Sequence, residues 1–135
     1  MSAEFFLDNN GNTIAVLLRS QVNSHESVEF YSNQNEEFQL ALMKKKPFEI
    51  IQRHFHPLQP RTIMHTSEAI IMREGELEVE LYDDQRVILV KVILKAQDIL
   101  ILLEGGHGFR SLDSGSVFVE IKQGPYDEGK DKVHF

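Results

Sequence analysis

The chain has 135 residues, of which 41% are hydrophobic, and it contains no cysteine. This length suits a single domain, and the absence of cysteine excludes disulfides and thiolate metal sites. The formal charge of −7 argues against nucleic-acid binding, because phosphate recognition needs a basic face. The sequence has no apolar run near the roughly 20 residues of a membrane span and no secretion signal. We therefore expect a cytoplasmic protein that binds neither nucleic acid nor membrane.

The first half of the chain predicts short strands. Two apolar runs within residues 4–18 flank Asn10-Gly11, a pair that favours a hairpin turn. Residues 22–38 are polar, and any helix in the chain is expected there. "FQLALMKKK" and "FEIIQRHFH" are two further strand candidates, and Pro47 between them forces a bend or an edge position.

The second half predicts strands of the same kind. "EAIIMREGELEVELYDD" is expected to form a hairpin that turns at Arg73-Glu74-Gly75. Leu77, Val79 and Leu81 alternate with glutamates, which indicates one dry face and one wet face. "RVILVKVIL", "DILILLE" and "SVFVEIKQG" are the remaining strands, and the polar end of the chain is expected to form an ordered tail on the outside. Short apolar segments between turn residues are typical of an all-β sandwich or barrel.

Histidines and one glutamate carry the chemical signal. His54 and His56 would share one face of a strand, with their bases roughly 6–7 Å apart, so both can reach one ion. The alternative is two polar residues on a solvent face. A Glu68 that points inward would need a partner, since charged groups are rarely buried unpaired; otherwise it is a solvated edge residue. His65 is interpreted as a loop residue.

His107 lies in "ILLEGGHGFRS", where an apolar strand runs into glycines. Glycine allows a tight turn and a close approach of the backbone to a ligand, and sites collect on loops at strand ends. The alternative is a β-turn with one exposed histidine. Phe109 is interpreted as a plug in the core at the end of the barrel.

Together these residues resemble the cupin superfamily. The HxH pair, a glutamate followed by six residues and Gly75, and "QDILILLEGGH" follow the two cupin motifs in outline. The chain departs from them in the 11 residues between His56 and Glu68, in Gln97 where a glycine is usual, and in Leu103 near the expected proline. His107 also comes one residue early.

A narrower resemblance covers about residues 28–135. "HFHPLQPRTIMHTSEA", "GGHGF" and "EIKQGPYDEGKDK" look like a group of small bacterial single-domain cupins whose genes often accompany sugar-nucleotide and surface-polysaccharide genes. The resemblance implies a cupin-type double-stranded β-helix, which is a jelly-roll barrel. Residues 1–27 would be an N-terminal hairpin extension and residues 28–135 the barrel and its tail. A homodimer with a small-molecule pocket in the barrel mouth is expected.

The resemblance also implies a metal set and a function. The expected ligands of a divalent zinc, nickel, manganese or iron ion are His54, His56, Glu68 and His107. Glu68 and His56 would move protons. Arg61 is expected to hold a carboxylate or phosphate of the substrate, with a surface loop arginine as the alternative, and Lys122 and Tyr126 are further substrate-binding candidates.

Several functions stay open at this point. The first is a metal-dependent cupin that isomerises or epimerises a sugar or sugar nucleotide. The second is a module that binds or senses a ligand without turnover. A metal-free isomerase that uses the HxH histidines as acid and base, and an Fe(II) dioxygenase, are further alternatives. The fold alone does not choose among them.

Overall fold

A computed structural model describes residues 3–135 as an all-β protein, which confirms the predicted class. Residues 22–38, where any helix was expected, contain a short strand and turns instead. In the described part of the chain, no helix is long and apolar enough to cross a membrane. The strands are β1 Glu4–Leu7, β2 Thr13–Leu18, β3 Val28–Phe30, β4 Ala41–Met43, β5 Glu68–Tyr82, β6 Ile88–Leu94, β7 Ile99–Leu102 and β8 Gly106–Lys122.

Six of these strands form one curled antiparallel sheet in the shape of a half-barrel. Its order is β1-β2-β7-β5-β6, and β8 pairs with β5. The predicted hairpin at Asn10-Gly11 is confirmed, with Gly11 at φ 85°. Because β2 also pairs with β7, residues 4–18 are an integral part of this sheet. Strands β3 and β4 form a separate two-stranded sheet.

The predicted turn at Arg73-Glu74-Gly75 is wrong. Strand β5 runs without interruption for 15 residues and pairs with β8 on both sides of this point. The register shifts between Met72 and Glu74 and again between Gly75 and Leu77. Gly75 has φ 74°, and a side chain there would meet the backbone oxygen of Gly115. The glycine that suggested a turn therefore serves a β-bulge, which bends the strand and increases its twist.

Two clusters of buried side chains hold the fold together. The larger cluster lies on the concave side and includes Ile70, Leu77, Val79, Leu81 and Leu100. The predicted dry face of the second half of β5 is thus confirmed. The smaller cluster, on the opposite side, packs the main sheet against the β3–β4 sheet through residues such as Val16, Ile101 and Tyr31. Each side chain of this kind stabilises the fold by about 1.5–3 kcal/mol when it is fully buried.

The strand predicted for "FEIIQRHFH" is not formed. Residues 44–66, which we call the arm, contain no strand, and each of them is exposed. The arm joins β4 to β5. Lys44 N–H donates to the carbonyl oxygen of Ser27 at one end, and Met64 N–H donates to Glu37 Oε1 at the other. Between these two anchors the hydrogen bonds of residues 50–63 are local ones, His54 with Gln52 and Arg61 with Gln59.

Candidate functional site

A pocket of about 730 Å³ opens where the start of β5, the start of β8 and the end of the chain meet. Strand β5 contributes Glu68 at its first residue, and β8 contributes His107 next to its first residue. The lining is rich in carboxylates and also contains aromatic side chains. Its ionisable and aromatic members among the described residues are His65, Glu68, Glu80, Tyr82, Glu104, His107, Phe109, Glu120, Asp131, Lys132, His134 and Phe135.

Glu68 and His107 face each other across this pocket. Glu68 Oε2 lies 3.2 Å from His107 Nε2, with 11% of the glutamate side chain and 28% of the histidine side chain exposed. The two atoms are close enough for an ion pair but are not aligned for a hydrogen bond. Among residues 3–135, Glu68 Oε2 is accordingly a buried oxygen without a hydrogen-bond donor. Such an atom costs about 1–3 kcal/mol of folding free energy, so it is available to a ligand that brings a donor or a positive charge.

Aromatic packing fixes the position of the His107 ring. The ring stacks on Phe109 at a centroid distance of 5.1 Å, and Phe109 meets the edge of Phe118 at 5.8 Å. Both phenylalanines are partly buried against the larger core cluster, as predicted for Phe109. Because these side chains anchor the histidine to the core, the pair with Glu68 is held on a rigid part of the sheet.

Glu80 and Tyr82 form a second polar group at the pocket. The Tyr82 hydroxyl donates to Glu80 Oε2 at 2.6 Å, and Lys91 Nζ lies 2.8 Å from Glu80 Oε1. The Lys91 ammonium makes the largest contribution to lowering the pKa of Glu80, and the Tyr82 hydroxyl lowers this pKa further. The same hydrogen bond to Glu80 raises the pKa of Tyr82. This group could not be foreseen from the sequence, because the alternation along β5 marks its glutamates only as a wet face.

His65 lies at the pocket rim between two carboxylates. Its Nε2 is 3.1 Å from Glu104 Oε2, and its Nδ1 is 3.5 Å from Glu37 Oε2. Glu37 also accepts the backbone N–H groups of Met64 and His65, and these two donors lower its pKa. His65, interpreted from the sequence as a loop residue, therefore marks the place where the arm is attached to the body of the protein.

The tail forms one wall of the pocket instead of lying apart from it. Lys122 Nζ contacts Asp131 Oδ2 at 2.9 Å and lies 5.4 Å from the centre of the Tyr126 ring, so both substrate-binding candidates hold the tail in place. The Asp131 carboxylate raises the pKa of Lys122. Phe135 packs edge-on against Tyr82 at 5.1 Å. Gly106 permits this contact, since a side chain there would meet the Phe135 ring at 3.0 Å.

The remaining predicted site residues lie on the arm. The rings of His54 and His56 are 5.3 Å apart in an edge-on arrangement, and both are exposed. Arg61 Nη2 donates to Gln59 Oε1 at 3.1 Å. The pocket lining, as far as the structure describes the chain, does not include these three side chains. The structure thus brings Glu68 and His107 together and holds His54, His56 and Arg61 outside the pocket.

The predicted metal set is divided between these two places. Glu68 and His107 fit an ion as two donors, because the buried oxygen of Glu68 lacks a donor and lies beside an imidazole. Within residues 3–135, however, no group of three or more His, Asp or Glu side chains is close enough to hold an ion. Among the described residues, His54 and His56 thus lie apart from Glu68 and His107, and the four-ligand set stays a prediction.

Comparisons with protein-family models, with curated proteins and with solved structures give no match for this chain.

Proposed function

We propose that the protein is a cupin-type isomerase that binds a small polar molecule, a sugar or sugar nucleotide of surface-polysaccharide metabolism, in the pocket at Glu68 and His107. The observation that carries this proposal is the placement of Glu68 Oε2, a buried oxygen 3.2 Å from His107 Nε2. A carboxylate and an imidazole at this separation are a suitable pair for general acid–base catalysis. The curled all-β sheet is consistent with the jelly-roll barrel that the sequence resemblance implies.

The pair can isomerise a carbonyl compound by moving one proton. The Glu68 carboxylate takes the proton from the carbon beside the carbonyl, and that C–H bond breaks. The carbonyl oxygen receives a proton from His107 Nε2, which gives an enediol. Glu68 then returns a proton to the former carbonyl carbon. The hydroxyl on the carbon that was deprotonated first loses its proton to His107, and the new carbonyl forms on that carbon. Electrons and protons balance without an external oxidant.

The carboxylates of the pocket lining favour a substrate with several hydroxyl groups. Glu80, Glu104 and Glu120 line the pocket together with Glu68. Carboxylates are acceptors only, and they match hydroxyl donors such as those of a sugar. The Lys91 ammonium and the Tyr82 hydroxyl lower the pKa of Glu80, which favours its carboxylate form.

Proton exchange with solvent tests this proposal directly. Keto sugars and nucleoside-diphosphate keto sugars are incubated with the protein in D2O, and deuterium at the carbon beside the carbonyl is followed by NMR. We expect incorporation with the native chain and at least a 100-fold loss in Glu68→Gln and in His107→Ala, since general acid–base groups contribute about 10²–10⁴-fold. Asn10→Ala, in the hairpin turn and not part of the pocket lining, is the matched control and retains the native rate. Exchange that survives both site substitutions contradicts the proposal.

Ligand binding without turnover is the second candidate, and the position of His54 and His56 outside the pocket favours it. It predicts that a sugar from the same panel raises the melting temperature of the native chain without deuterium incorporation. A divalent zinc, nickel, manganese or iron ion in this site remains a proposal as well. Elemental analysis of untagged protein before and after chelation tests it, and about one ion per chain is the supporting result.

A further inference from the structure

The arm presents a row of apolar side chains to solvent. Phe55 is 85% exposed and Leu58 is 104% exposed. Phe48, Ile50, Ile51 and Met64 are exposed in the same way. Isolated surface apolar residues are ordinary, but several large ones within one exposed segment favour a surface that binds a partner.

Among residues 3–135, the longest unpaired strand edge belongs to β8. This strand has 17 residues, against 4 in β1 and 7 in β6 at the ends of the sheet. It pairs with β5 on one side, and among the described residues no strand pairs with its other side. Natural proteins keep edge strands short or cover them. An edge of this length is a template on which an extended segment can add.

The two faces of β8 differ in a way that suits the arm. Directly paired residues of antiparallel strands point to the same side. Glu120 pairs with the buried Ile70, and His107 pairs with the buried Leu81, so Glu120 and His107 lie on the concave side with Glu68. On the convex side, Val117, Val119 and Ile121 form an exposed apolar stripe.

The alternation of residues 51–56 in the arm matches both faces. In an extended arm, Ile51 and Phe55 point to one side while His54 and His56 point to the other. If Ile51 and Phe55 cover the apolar stripe of β8, His54 and His56 reach the concave side, where Glu68 and His107 lie. The reverse placement would bury the histidines on the apolar stripe.

Charge gives the arm a preferred partner. Its formal charge is +4, against −11 for the rest of the chain, which together give −7. The basic side chains are Lys44, Lys45, Lys46, Arg53 and Arg61, and the single acidic one is Glu49. Opposite charge speeds the encounter of two surfaces and selects between partners. The arm is therefore suited to the acidic body of this protein.

We propose that the arm of one copy adds as a strand to the free edge of β8 in a second copy, and that the exchange is mutual. In its own chain the arm is exposed and anchored at both ends, by Ser27 and by Glu37. A two-fold exchange covers both arms and both β8 edges at once, as a closed symmetric dimer requires. Each pocket then combines its own Glu68 and His107 with His54 and His56 of the other copy. The docking stands by itself, while the role of the delivered histidines rests on the proposed function.

Because the chain contains no cysteine, engineered pairs can test the contact without background. A chain carrying both Phe55→Cys and Val119→Cys is treated with a short bismaleimide, and the products are separated by denaturing electrophoresis. We expect most of the protein at twice the chain mass. Both substituted positions are exposed in the single chain, so the variant retains its fold. The matched control replaces Val119→Cys by Asn10→Cys, an exposed position in the turn between β1 and β2, and gives a product at the chain mass.

Each other result overturns the proposal. Cross-linking within one chain would show that the arm folds back on its own β8. No cross-linking would show that it does not reach this edge, and equal cross-linking of the control would show random collision. Light scattering of the native protein adds an independent measurement. A monomeric mass at micromolar concentration contradicts the mutual exchange of arms. A cross-linked dimer that incorporates no deuterium would refute the proposed function alone. A monomer that incorporates deuterium would refute the docking alone.

Discussion

Strand β8 and the arm have similar residue types and differ in their pairing. Both contain β-branched and aromatic residues interspersed with polar ones, as "SVFVEIK" and "FEIIQRHFH" show. Strand β8 pairs with β5 at 13 positions, whereas every residue of the arm is exposed. Strand propensity describes how well a side chain fits a pleated, half-buried surface. A segment of β-branched and aromatic residues therefore forms a strand only where a neighbouring strand edge is present to receive its hydrogen bonds.

The largest expected effect contrasts a leucine from each environment. Leu81 in β5 is 1% exposed, and Leu58 in the arm is 104% exposed. Leu81→Ala should lower the free energy of unfolding by about 2–5 kcal/mol, because it removes buried methyl groups and leaves a cavity. Leu58→Ala should change it by less than about 0.5 kcal/mol in dilute protein. Denaturant titration measures both, and equal losses at all protein concentrations would show that the arm packs within its own chain.

The bulge in β5 offers an intermediate effect. Gly75 and Gly115 both have positive φ, 74° and 70°. A Cβ at Gly75 would overlap the Gly115 carbonyl oxygen, while a Cβ at Gly115 would meet nothing within 4 Å. Gly75→Ala should therefore destabilise the protein by about 2–3 kcal/mol and Gly115→Ala by about 1 kcal/mol, the cost of the backbone conformation alone. Thermal or denaturant unfolding of the two variants separates the steric cost from the backbone cost, and equal losses would contradict a close approach at the bulge.

The smallest expected effect concerns the attachment of the arm at Glu37. The N–H groups of Met64 and His65 lower the pKa of Glu37 below its usual 4.5. The contribution of this contact is thus fully present above the unfolded pKa and is lost as the pH falls through the folded pKa. In an NMR titration, the amide signals of Met64 and His65 should shift together at a pH below 4.5. Glu37→Gln should abolish that shared step, and a step that persists in this variant would assign it to another carboxylate.

Much of the fold follows from local pattern. The hairpin at Asn10-Gly11, the alternation of Leu77, Val79 and Leu81, and the buried β7 were each visible in the sequence, because turn chemistry and burial act over a few residues. The glycine at position 75 was misread, since positive φ is equally needed in a hairpin turn and in a bulge. A bulge differs from a hairpin turn here only because both halves of β5 pair with one strand, β8. This pairing joins residues that are distant in sequence, so the local pattern does not show it.

The candidate site was predictable in part for the same reason. The cupin resemblance put Glu68 and His107 in one ligand set, and the structure brings these two side chains within 3.2 Å of each other. Glu80, Tyr82 and Phe135 were not foreseen, because their meeting depends on the path of the tail. The HxH pair looked like part of the same site, but its strand is not formed within one chain.

The order of strands in the main sheet has a practical consequence for dividing the protein. The arm is the only covalent link between residues 3–43 and residues 67–135, yet β2 from the first part pairs with β7 from the second. The smaller cluster also joins the two parts through Val16, Tyr31 and Ile101. A protease that cuts after Arg53 or Arg61 would therefore leave two interleaved fragments. Expressed separately, these fragments are natural halves for a split-protein reporter, in which restored folding signals that two fused partners have met.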